Sequence, residues 1–287
     1  MAVALVTGTS SGIGLATAVT LARGGHKVIA TMRNLDAAGE IQKIVEPEGL
    51  PVTVAALNVD HDGSVNDAVD RVLAENGRID VLVNNAGIPG GGGSVEEVPM
   101  EVFRQVMETN FFGGLRCIKA VVPSMRERRH GCIVNVTSVA GRLASAAMGP
   151  YAASKWAFEA LSECLAQEMK PFNVRIAIIE PGFIATPIFG KTRAWSKDSF
   201  YPHPRRLAAR FSASLTQASS PYIVAAQIQQ IVEGDSWQLR YPVGGDAVSA
   251  IKWRAGKTDE EIVDLGAESD ADYKTRMKRE FGLELNL

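Results

Sequence analysis

The sequence predicts an α/β fold with one doubly wound parallel sheet of about seven strands and helices on both of its faces. Short runs rich in Val and Ile alternate along the chain with longer segments of helical spacing. These runs lack the polar–apolar alternation of half-exposed strands, as expected for parallel strands covered on both sides. Because repeated strand–helix alternation builds parallel sheets, the 287 residues are expected to form a single domain, residues 1–287.

The predicted elements follow one another in a regular order. Strands are predicted at residues 2–7, 27–32, 52–57, 79–84, 132–137 and 174–180, with a candidate seventh at 238–243. Helical spacing covers residues 13–23, 64–75, 100–128 and 151–169, and the polar tail 258–279 indicates one or two surface helices. Between residues 187 and 220 the periodicity weakens, which predicts a C-terminal loop-and-helix insertion beside the ligand site.

Composition and charge argue against several classes of protein. The net charge is -2, with 30 basic against 32 acidic residues and no long like-charge run, which disfavours nucleic-acid binding. No apolar run is long enough to span a bilayer, no signal peptide is visible, and three scattered cysteines suit a reducing compartment, so a cytoplasmic location is expected. None of the four histidines lies at ligand spacing from a cysteine, so no metal site is expected.

A glycine-rich turn follows the first predicted strand and opens the first predicted helix. Its candidate cofactor-binding residues are Gly8, Ser10, Ser11, Gly12, Ile13 and Gly14. Glycines let a backbone turn tightly and approach a pyrophosphate, and the helix N-terminus offers free N–H groups and a positive dipole end. This strand–turn–helix context indicates a dinucleotide site, with a plain strand–helix turn as the alternative.

The end of the second predicted strand bears on the kind of dinucleotide. Folds specific for NAD usually place an acid there to hold the adenosine ribose hydroxyls, whereas this chain has Arg33 and no acid before Asp36. An arginine can pair with a ribose 2′-phosphate through two N–H bonds. Arg33 therefore favours NADP(H) over NAD(H), the alternative being a surface arginine at a helix start.

Tyr151 and Lys155 form a candidate acid–base pair. They are four residues apart in a helical segment, a spacing that puts both side chains on one face. A lysine ammonium favours a neighbouring phenolate, so we expect the pKa of Tyr151 to fall below its usual value of about 10. Ser138 follows the strand predicted at 132–137, whose carboxyl end faces the ligand crevice, and its hydroxyl can hold a substrate oxygen.

Several motifs occur together and in a fixed order. They are the glycine-rich turn, the run Asn84-Asn85-Ala86-Gly87, Asn110, Ser138, the Tyr151/Lys155 pair and Pro181-Gly182. As a set they resemble the short-chain dehydrogenase/reductase family over about residues 2–190. The stretch from Ala30 to Arg33 and the pair Arg240-Tyr241 are similar to its 17β-hydroxysteroid and retinol dehydrogenase branch.

The resemblance implies a Rossmann-like fold and an NADP(H)-dependent oxidoreductase that interconverts a ketone or aldehyde with an alcohol. It implies that Tyr151 is the general acid in reduction and the base in oxidation, and that Lys155 tunes it and holds the nicotinamide ribose. It implies that Ser138 positions the carbonyl and that Asn110 anchors a water in a proton relay. Further cofactor contacts are implied for Val59, Asn85, Ala86, Gly87, Pro181, Gly182, Ile184 and Thr186.

Four points stay open in the sequence. The family often has an acid where this chain has Asn58, so the adenine contact falls to Asn58 or to Asp60. The apolar candidate walls Leu143, Met148 and Phe183, with Ser138 and Tyr151, indicate a small hydrophobic carbonyl or alcohol substrate of steroid or retinoid type. The family commonly forms homodimers or homotetramers through helices that correspond to residues 100–128 and 151–169. The alternative function is a non-catalytic NADP(H)-binding regulatory or scaffold protein.

Overall fold

A computed structural model describes residues 1–191 and 198–287. Within this part of the chain, seven strands form one parallel sheet in the order β3-β2-β1-β4-β5-β6-β7. The strands are β1 Val3–Thr7, β2 Lys27–Met32, β3 Val52–Ala56, β4 Val81–Asn84, β5 Gly131–Val136, β6 Val174–Pro181 and β7 Arg240–Val243. The strand order reverses between β1 and β4, the kind of position at which doubly wound sheets bind ligands.

The central strands are buried because helices cover the sheet on both faces. Every residue of β1, β4 and β5 is buried, which explains why the sequence shows apolar runs rather than alternation. The helices are α1 Gly12–Arg23, α2 Gly39–Val45, α3 Asp62–Asn76, α4 Met100–Met107, α5 Gly113–Arg128, α6 Gly149–Met169, α7 His203–Leu215, α8 Pro221–Glu233, α9 Ala247–Ala255, α10 Asp259–Asp264 and α11 Asp270–Phe281.

Two hydrophobic clusters lie on opposite faces of the sheet. One contains Leu21 of α1, Ile41 of α2 and Ile228 of α8, packed on strand residues. The other is built on α3, α5 and α6, with Val121 and Phe158 among its buried side chains. This arrangement confirms the predicted doubly wound α/β fold. No helix in residues 1–191 and 198–287 is long and apolar enough to cross a membrane.

The structure corrects two expectations from periodicity. The helix predicted over 100–128 is interrupted by a π-helical turn, Glu108–Phe112, between α4 and α5. The segment predicted as a loop-and-helix insertion, 187–220, contains the helix α7, and its residues 192–197 lie outside the described part of the chain. The tail forms two helices as predicted, but it is not simply a surface element. Its residues Met277, Leu283 and Leu285 are buried in a small cluster that packs against α7.

Asp80, just before β4, joins three elements at the amino end of the sheet. Its carboxylate accepts the N–H of Val3 at 3.0 Å, Nε of Arg78 at 2.9 Å and Nη1 of Arg128 at 3.0 Å. Burial alone raises the pKa of this carboxyl, but the Val3 N–H and the two arginines outweigh it and hold the pKa below 3.8. The ionised form is therefore the one that stabilises the fold.

We expect Asp80→Asn to lower the free energy of unfolding at pH 7 by about 1.5–3 kcal/mol, since charged hydrogen bonds to two arginines are lost. A lowered folded-state pKa stabilises above the unfolded-state pKa and is lost as pH falls through the folded-state value. The difference between the wild-type protein and the variant should thus shrink below about pH 4. Urea denaturation at pH 7 and pH 3 measures it, with the exposed Asp67→Asn as control. An equal loss at both pH values would contradict this assignment.

Candidate active site at the carboxyl edge of the sheet

A cavity of about 340 Å³ opens where β1, β4, β5 and β6 end. It is lined by the predicted cofactor, catalytic and substrate residues with two exceptions, Gly14 and Asn110. These side chains come from distant parts of the chain, and they meet because the carboxyl ends of parallel strands share one edge of the sheet. In residues 1–191 and 198–287 no group of His, Cys, Asp or Glu side chains is placed to hold a metal ion.

The glycine-rich turn is held in a shape that only glycine tolerates at key points. Gly8 and Gly12 have φ of 71° and 60°, in the left-handed region. A Cβ on Gly14 would overlap the Gly8 carbonyl oxygen and the amide of Asn85. Gly14 therefore does not line the cavity. It lets the Gly8 carbonyl and the Asn85 side chain approach the start of α1 closely.

Asn85 supports the turn through its side chain. Its Nδ2 donates to the carbonyl oxygens of Thr7 at 2.8 Å and Gly8 at 3.1 Å. The hydroxyl of Thr7 accepts the N–H groups of Asn85 and Ala86, each at 3.0 Å. The turn after β1 is thus fastened to the turn after β4, and the side-chain amide of Asn85 is already in use.

The N-terminus of α1 suits an anionic ligand. Ser11 is the N-cap residue and makes no side-chain capping bond, while Gly12 and Ile13 line the cavity. Uncapped N–H groups at a helix start and the positive end of the helix dipole favour phosphate oxygens. The shape of the cradle, the missing Cβ atoms and this polarity together fit a dinucleotide pyrophosphate.

The adenosine end of the cavity contains Arg33, Asn58 and Asp60. Arg33 is exposed just beyond β2, and no carboxylate of the described residues lies within ion-pair distance of it. Oδ1 of Asn58 accepts the N–H of Asp60 at 3.2 Å, so this acceptor is occupied. Oδ1 of Asp60 is buried without a hydrogen-bond partner among the described residues.

Ser138, Tyr151 and Lys155 converge in the same cavity. The Tyr151 phenol, in the first turn of α6, lies beside the Ser138 hydroxyl, and Ser138 is the second residue after the end of β5. Nζ of Lys155 donates to the carbonyl oxygen of Val136 at 3.0 Å and lies 5.6 Å from the centre of the Tyr151 ring. A substrate oxygen beside Ser138 is therefore within reach of a phenol, with an ammonium close by.

The pKa values of this group differ from the sequence-based expectation. Burial raises the pKa of the Tyr151 phenol, and the hydrogen bond from Ser138 opposes that rise. Burial lowers the pKa of Lys155 to about 8, with the negative charge of Glu159 opposing the fall. The expected lowering of the Tyr151 pKa by Lys155 is therefore wrong for this arrangement, because the ammonium points to the Val136 carbonyl and both charged forms are disfavoured by burial.

Asn110 lies in the π-helical turn and is buried. Its Oδ1 accepts the N–H of Ile88 at 2.8 Å, and its Nδ2 donates to the Ile88 carbonyl at 3.0 Å and to Ser154 Oγ at 3.1 Å. The side chain thus ties the interrupted helix to the segment after β4 and to α6. Its polar atoms are engaged, so the side chain itself is not free to bind a water.

Glu159 is a residue near the site that sequence reasoning missed. It lies one helical turn beyond Lys155, accepts the Thr137 hydroxyl at 2.6 Å and accepts Nε of Arg240 at 3.0 Å. Glu159 is only 4% exposed, so its carboxylate lies in the interior beside Lys155. The available signal was the spacing Tyr151, Lys155, Glu159, which places all three on one helix face.

Aromatic side chains form the far wall of the cavity. Phe183, Phe189 and Phe211 contact one another with ring centres 5.4–5.8 Å apart. The predicted substrate residues Leu143, Met148 and Phe183 line the cavity with them. Arg210 of α7, which sequence reasoning also missed, lies among these apolar groups.

Comparison with known proteins agrees with this geometry. The sequence profile of the short chain dehydrogenase family matches residues 2–197. The chain is 44% identical over 191 residues to retinol dehydrogenase 8 of Bos taurus, a match that covers 65% of this chain and only 60% of that protein.

Solved structures give the same result. A short-chain dehydrogenase from Streptomyces avermitilis is similar with a TM-score of 0.80 and 34% identity, covering 93% of this chain and 98% of that one. The F189W actinorhodin polyketide ketoreductase with NADPH has a TM-score of 0.74 and 29% identity, covering 83% and 95%. Similar structures include an NAD⁺-bound xylitol dehydrogenase as well, so the family alone does not decide the cofactor. The chain belongs to the short-chain dehydrogenase/reductase family of oxidoreductases, near its retinol dehydrogenase branch.

Proposed function

We propose that this chain is an NADP(H)-dependent oxidoreductase that interconverts a ketone or aldehyde with an alcohol, with Tyr151 as the acid–base group. The observation that carries the proposal is the convergence of Ser138, Tyr151 and Lys155 in the cavity that also contains the glycine-rich turn. A hydroxyl, a phenol and an ammonium beside a dinucleotide cradle are the groups that carbonyl reduction requires.

The residues present fit the dinucleotide along the whole cavity. The turn from Gly8 to Ile13 would hold the pyrophosphate, and Arg33 the ribose 2′-phosphate. Val59 would line the adenine side, where either Asn58 or Asp60 would accept from the adenine amino group. Asn85, Ala86 and Gly87 would line the middle of the cleft, and Pro181, Gly182, Ile184 and Thr186 would line the nicotinamide end. When bound, NADP(H) supplies the hydride chemistry, and the protein supplies position and electrostatics.

In the reductive direction the protein holds the carbonyl and delivers a proton. The Ser138 hydroxyl donates to the substrate oxygen, and the Tyr151 phenol gives its proton to the same oxygen as negative charge develops there. Because burial raises the pKa of Tyr151, the phenol is the prevailing form at neutral pH and is ready to act as the acid. Lys155 places a positive charge beside this pair and toward the ribose.

Asn110 fits a positioning role in proton supply. Since its side chain is fully engaged with Ile88 and Ser154, a relay water would be held by the backbone carbonyl of the π-helical turn. This carbonyl would hold the water close to α6, the helix that carries Lys155.

Two further expectations rest on particular side chains. The apolar wall of Leu143, Met148 and Phe183 supports a hydrophobic substrate body, with Phe189 and Phe211 of the segment predicted as a substrate loop, 187–220, beside it. Exposed Trp156 on α6, 47% exposed, and Phe112, 43% exposed, support pairing of these helices in a homodimer or homotetramer.

Steady-state rates test the function directly. Consumption of NADPH and NADH is measured against a panel of steroid, retinoid and aryl ketones and aldehydes. We expect NADPH-dependent reduction of at least one of them. Saturable NADPH binding without turnover of any carbonyl would instead favour the non-catalytic regulatory or scaffold role.

Arg33→Ala tests the cofactor preference. We expect the ratio of kcat/KM for NADPH over NADH to fall by about 10-fold to 100-fold, because a charge-assisted pair with the 2′-phosphate is lost. The rate with NADH should change little. Arg71→Ala, the same change at an exposed position on α3, is the matched control. An unchanged ratio in Arg33→Ala would remove the basis for NADP(H) preference.

A further inference from the structure

Arg210 is a charged side chain inside the otherwise apolar substrate end of the cavity. It lies on α7 between Leu207 and Phe211, which line the same cavity as Ser138 and Tyr151. Its Nη1 donates to Ser145 Oγ at 3.2 Å, and its guanidinium carbon lies 5.6 Å from the centre of the Phe281 ring. No carboxylate in residues 1–191 and 198–287 lies within ion-pair distance of it.

The neighbouring arginines are paired, and this contrast sets Arg210 apart. Arg205 and Arg206 both bind Asp270, at 2.5 and 2.8 Å, and Arg276 of α11 binds Glu268 at 2.8 Å. Asp270 and Glu268 are thus already used by other cations, and Asp246 accepts the N–H of Phe183 without forming an ion pair with Arg210. The Nε of Arg210, in contrast, is shielded from solvent without a hydrogen-bond partner among the described residues.

An unpaired guanidinium in such surroundings is unfavourable for the free protein. Burial lowers the pKa of Arg210; Tyr273 and Asp246 oppose that shift, and the positive charge of Arg276 adds to it. The side chain as a whole is only partly buried, but its shielded Nε has no partner, and charged groups withdrawn from water are destabilising unless an opposite charge meets them. An anionic group that entered the cavity would remove this cost.

The guanidinium also has the right shape for one class of anion. Its planar fork matches a carboxylate through two parallel N–H bonds, and Ser145 lies beside it as a further donor. The rest of this end of the cavity consists of the aromatic cluster Phe183, Phe189 and Phe211. A ligand that satisfies both features has an apolar body and a carboxylate.

We propose that Arg210 is a specificity-determining residue that binds the carboxylate of an amphipathic oxo acid, or of the corresponding hydroxy acid. The substrate carbonyl lies at Ser138 and Tyr151, the apolar body lies along the phenylalanine cluster, and the carboxylate meets Arg210. This inference rests on the proposed carbonyl–alcohol function, and it replaces a wholly hydrophobic substrate by one with an anionic end.

Matched pairs of acids and esters test the proposal. Aryl keto acids of three chain lengths are compared with their methyl esters as substrates for the wild-type protein, Arg210→Met, Arg210→Lys and the control Arg205→Met on the same helix. We expect the wild-type protein to favour the acid of fitting length, and Arg210→Met to lower kcat/KM for that acid by about 10-fold to 100-fold while the ester changes less than about 3-fold. Arg210→Lys should be intermediate, and Arg205→Met should match the wild-type protein.

A binding measurement that does not depend on turnover distinguishes this inference from the proposed function. The same acids should raise the melting temperature of the NADPH-loaded wild-type protein and not that of Arg210→Met, whether or not they are reduced. If the protein binds the acids through Arg210 but reduces no carbonyl, that result would contradict the catalytic proposal and leave the role of Arg210 standing. An acid-to-ester ratio unchanged by Arg210→Met, or no stabilisation of the wild-type protein by any of the acids, would overturn the role of Arg210.

Discussion

Tyr151→Phe is expected to lower carbonyl turnover by about 100-fold to 10,000-fold, the range lost with a general acid. The substitution removes one hydroxyl from a partly buried ring, and we expect the packing of α6 to be retained. The proton donor beside Ser138 is then missing, so the oxygen of the substrate gains charge without receiving a proton. Single-turnover rates with saturating NADPH measure the effect on the chemical step.

Two controls accompany this variant. Tyr222→Phe makes the same chemical change at a side chain that is 41% exposed on α8, outside the cavity, and should leave turnover unchanged. NADPH affinity should be nearly the same in Tyr151→Phe and the wild-type protein, because the dinucleotide cradle is built from other residues. Near-normal turnover in Tyr151→Phe would overturn its role as the acid.

Lys155→Met is expected to cause a second large loss and to change the pH profile. Burial lowers the pKa of Lys155 to about 8, so the ammonium prevails below that pH and is lost above it. For the wild-type protein, kcat/KM for NADPH should therefore fall as pH rises through about 8, since this parameter reports groups of the free enzyme. In Lys155→Met, kcat/KM for NADPH should be about 100-fold lower at pH 7 than in the wild-type protein, and it should not fall as pH rises through 8.

Lys155→Arg is the informative companion to this variant. Its guanidinium stays charged throughout the accessible pH range, so any activity that it retains should persist above pH 8. A wild-type profile that rises between pH 7 and 9, or a Lys155→Met profile that keeps the wild-type shape, would contradict the role of the Lys155 charge.

The sheet was predictable from sequence because burial on both faces leaves a simple signature. β2 begins and ends where the apolar run predicts, and β1, β4 and β5 differ only at their ends. The site was predictable for a related reason: parallel strands deliver their carboxyl ends to one edge, so Ser138 after β5 and the glycine turn after β1 had to be neighbours. Spacing alone then placed Tyr151 and Lys155 on one face of α6.

Other features depend on tertiary contacts that no local pattern reveals. The break between α4 and α5 is stabilised by Asn110 binding the backbone of Ile88, far away in sequence. α8 is a different case, because its start is marked locally by the capping residue Ser220 and by Pro221, a signal that periodicity alone does not show. The orientation of Lys155 follows from the Val136 carbonyl rather than from helix spacing.

The unpaired state of Arg210 is a tertiary feature of the same kind. It arises because the tail folds back on α7 and brings Asp270 and Glu268 to other arginines. The sequence shows a mixture of aromatic and basic residues here without showing which charges meet. The substrate end of the site was for this reason the part least accessible to sequence analysis.

The central claim is that this cavity positions a carbonyl to accept hydride from a nicotinamide, and isotope transfer tests it most directly. The protein is incubated with a carbonyl that it consumes and with NADPH deuterated at C4 of the nicotinamide, in separate reactions for the two C4 positions. We expect the alcohol to carry one deuterium on its carbinol carbon in one of the two reactions and none in the other. An alcohol without deuterium in both reactions would contradict the account.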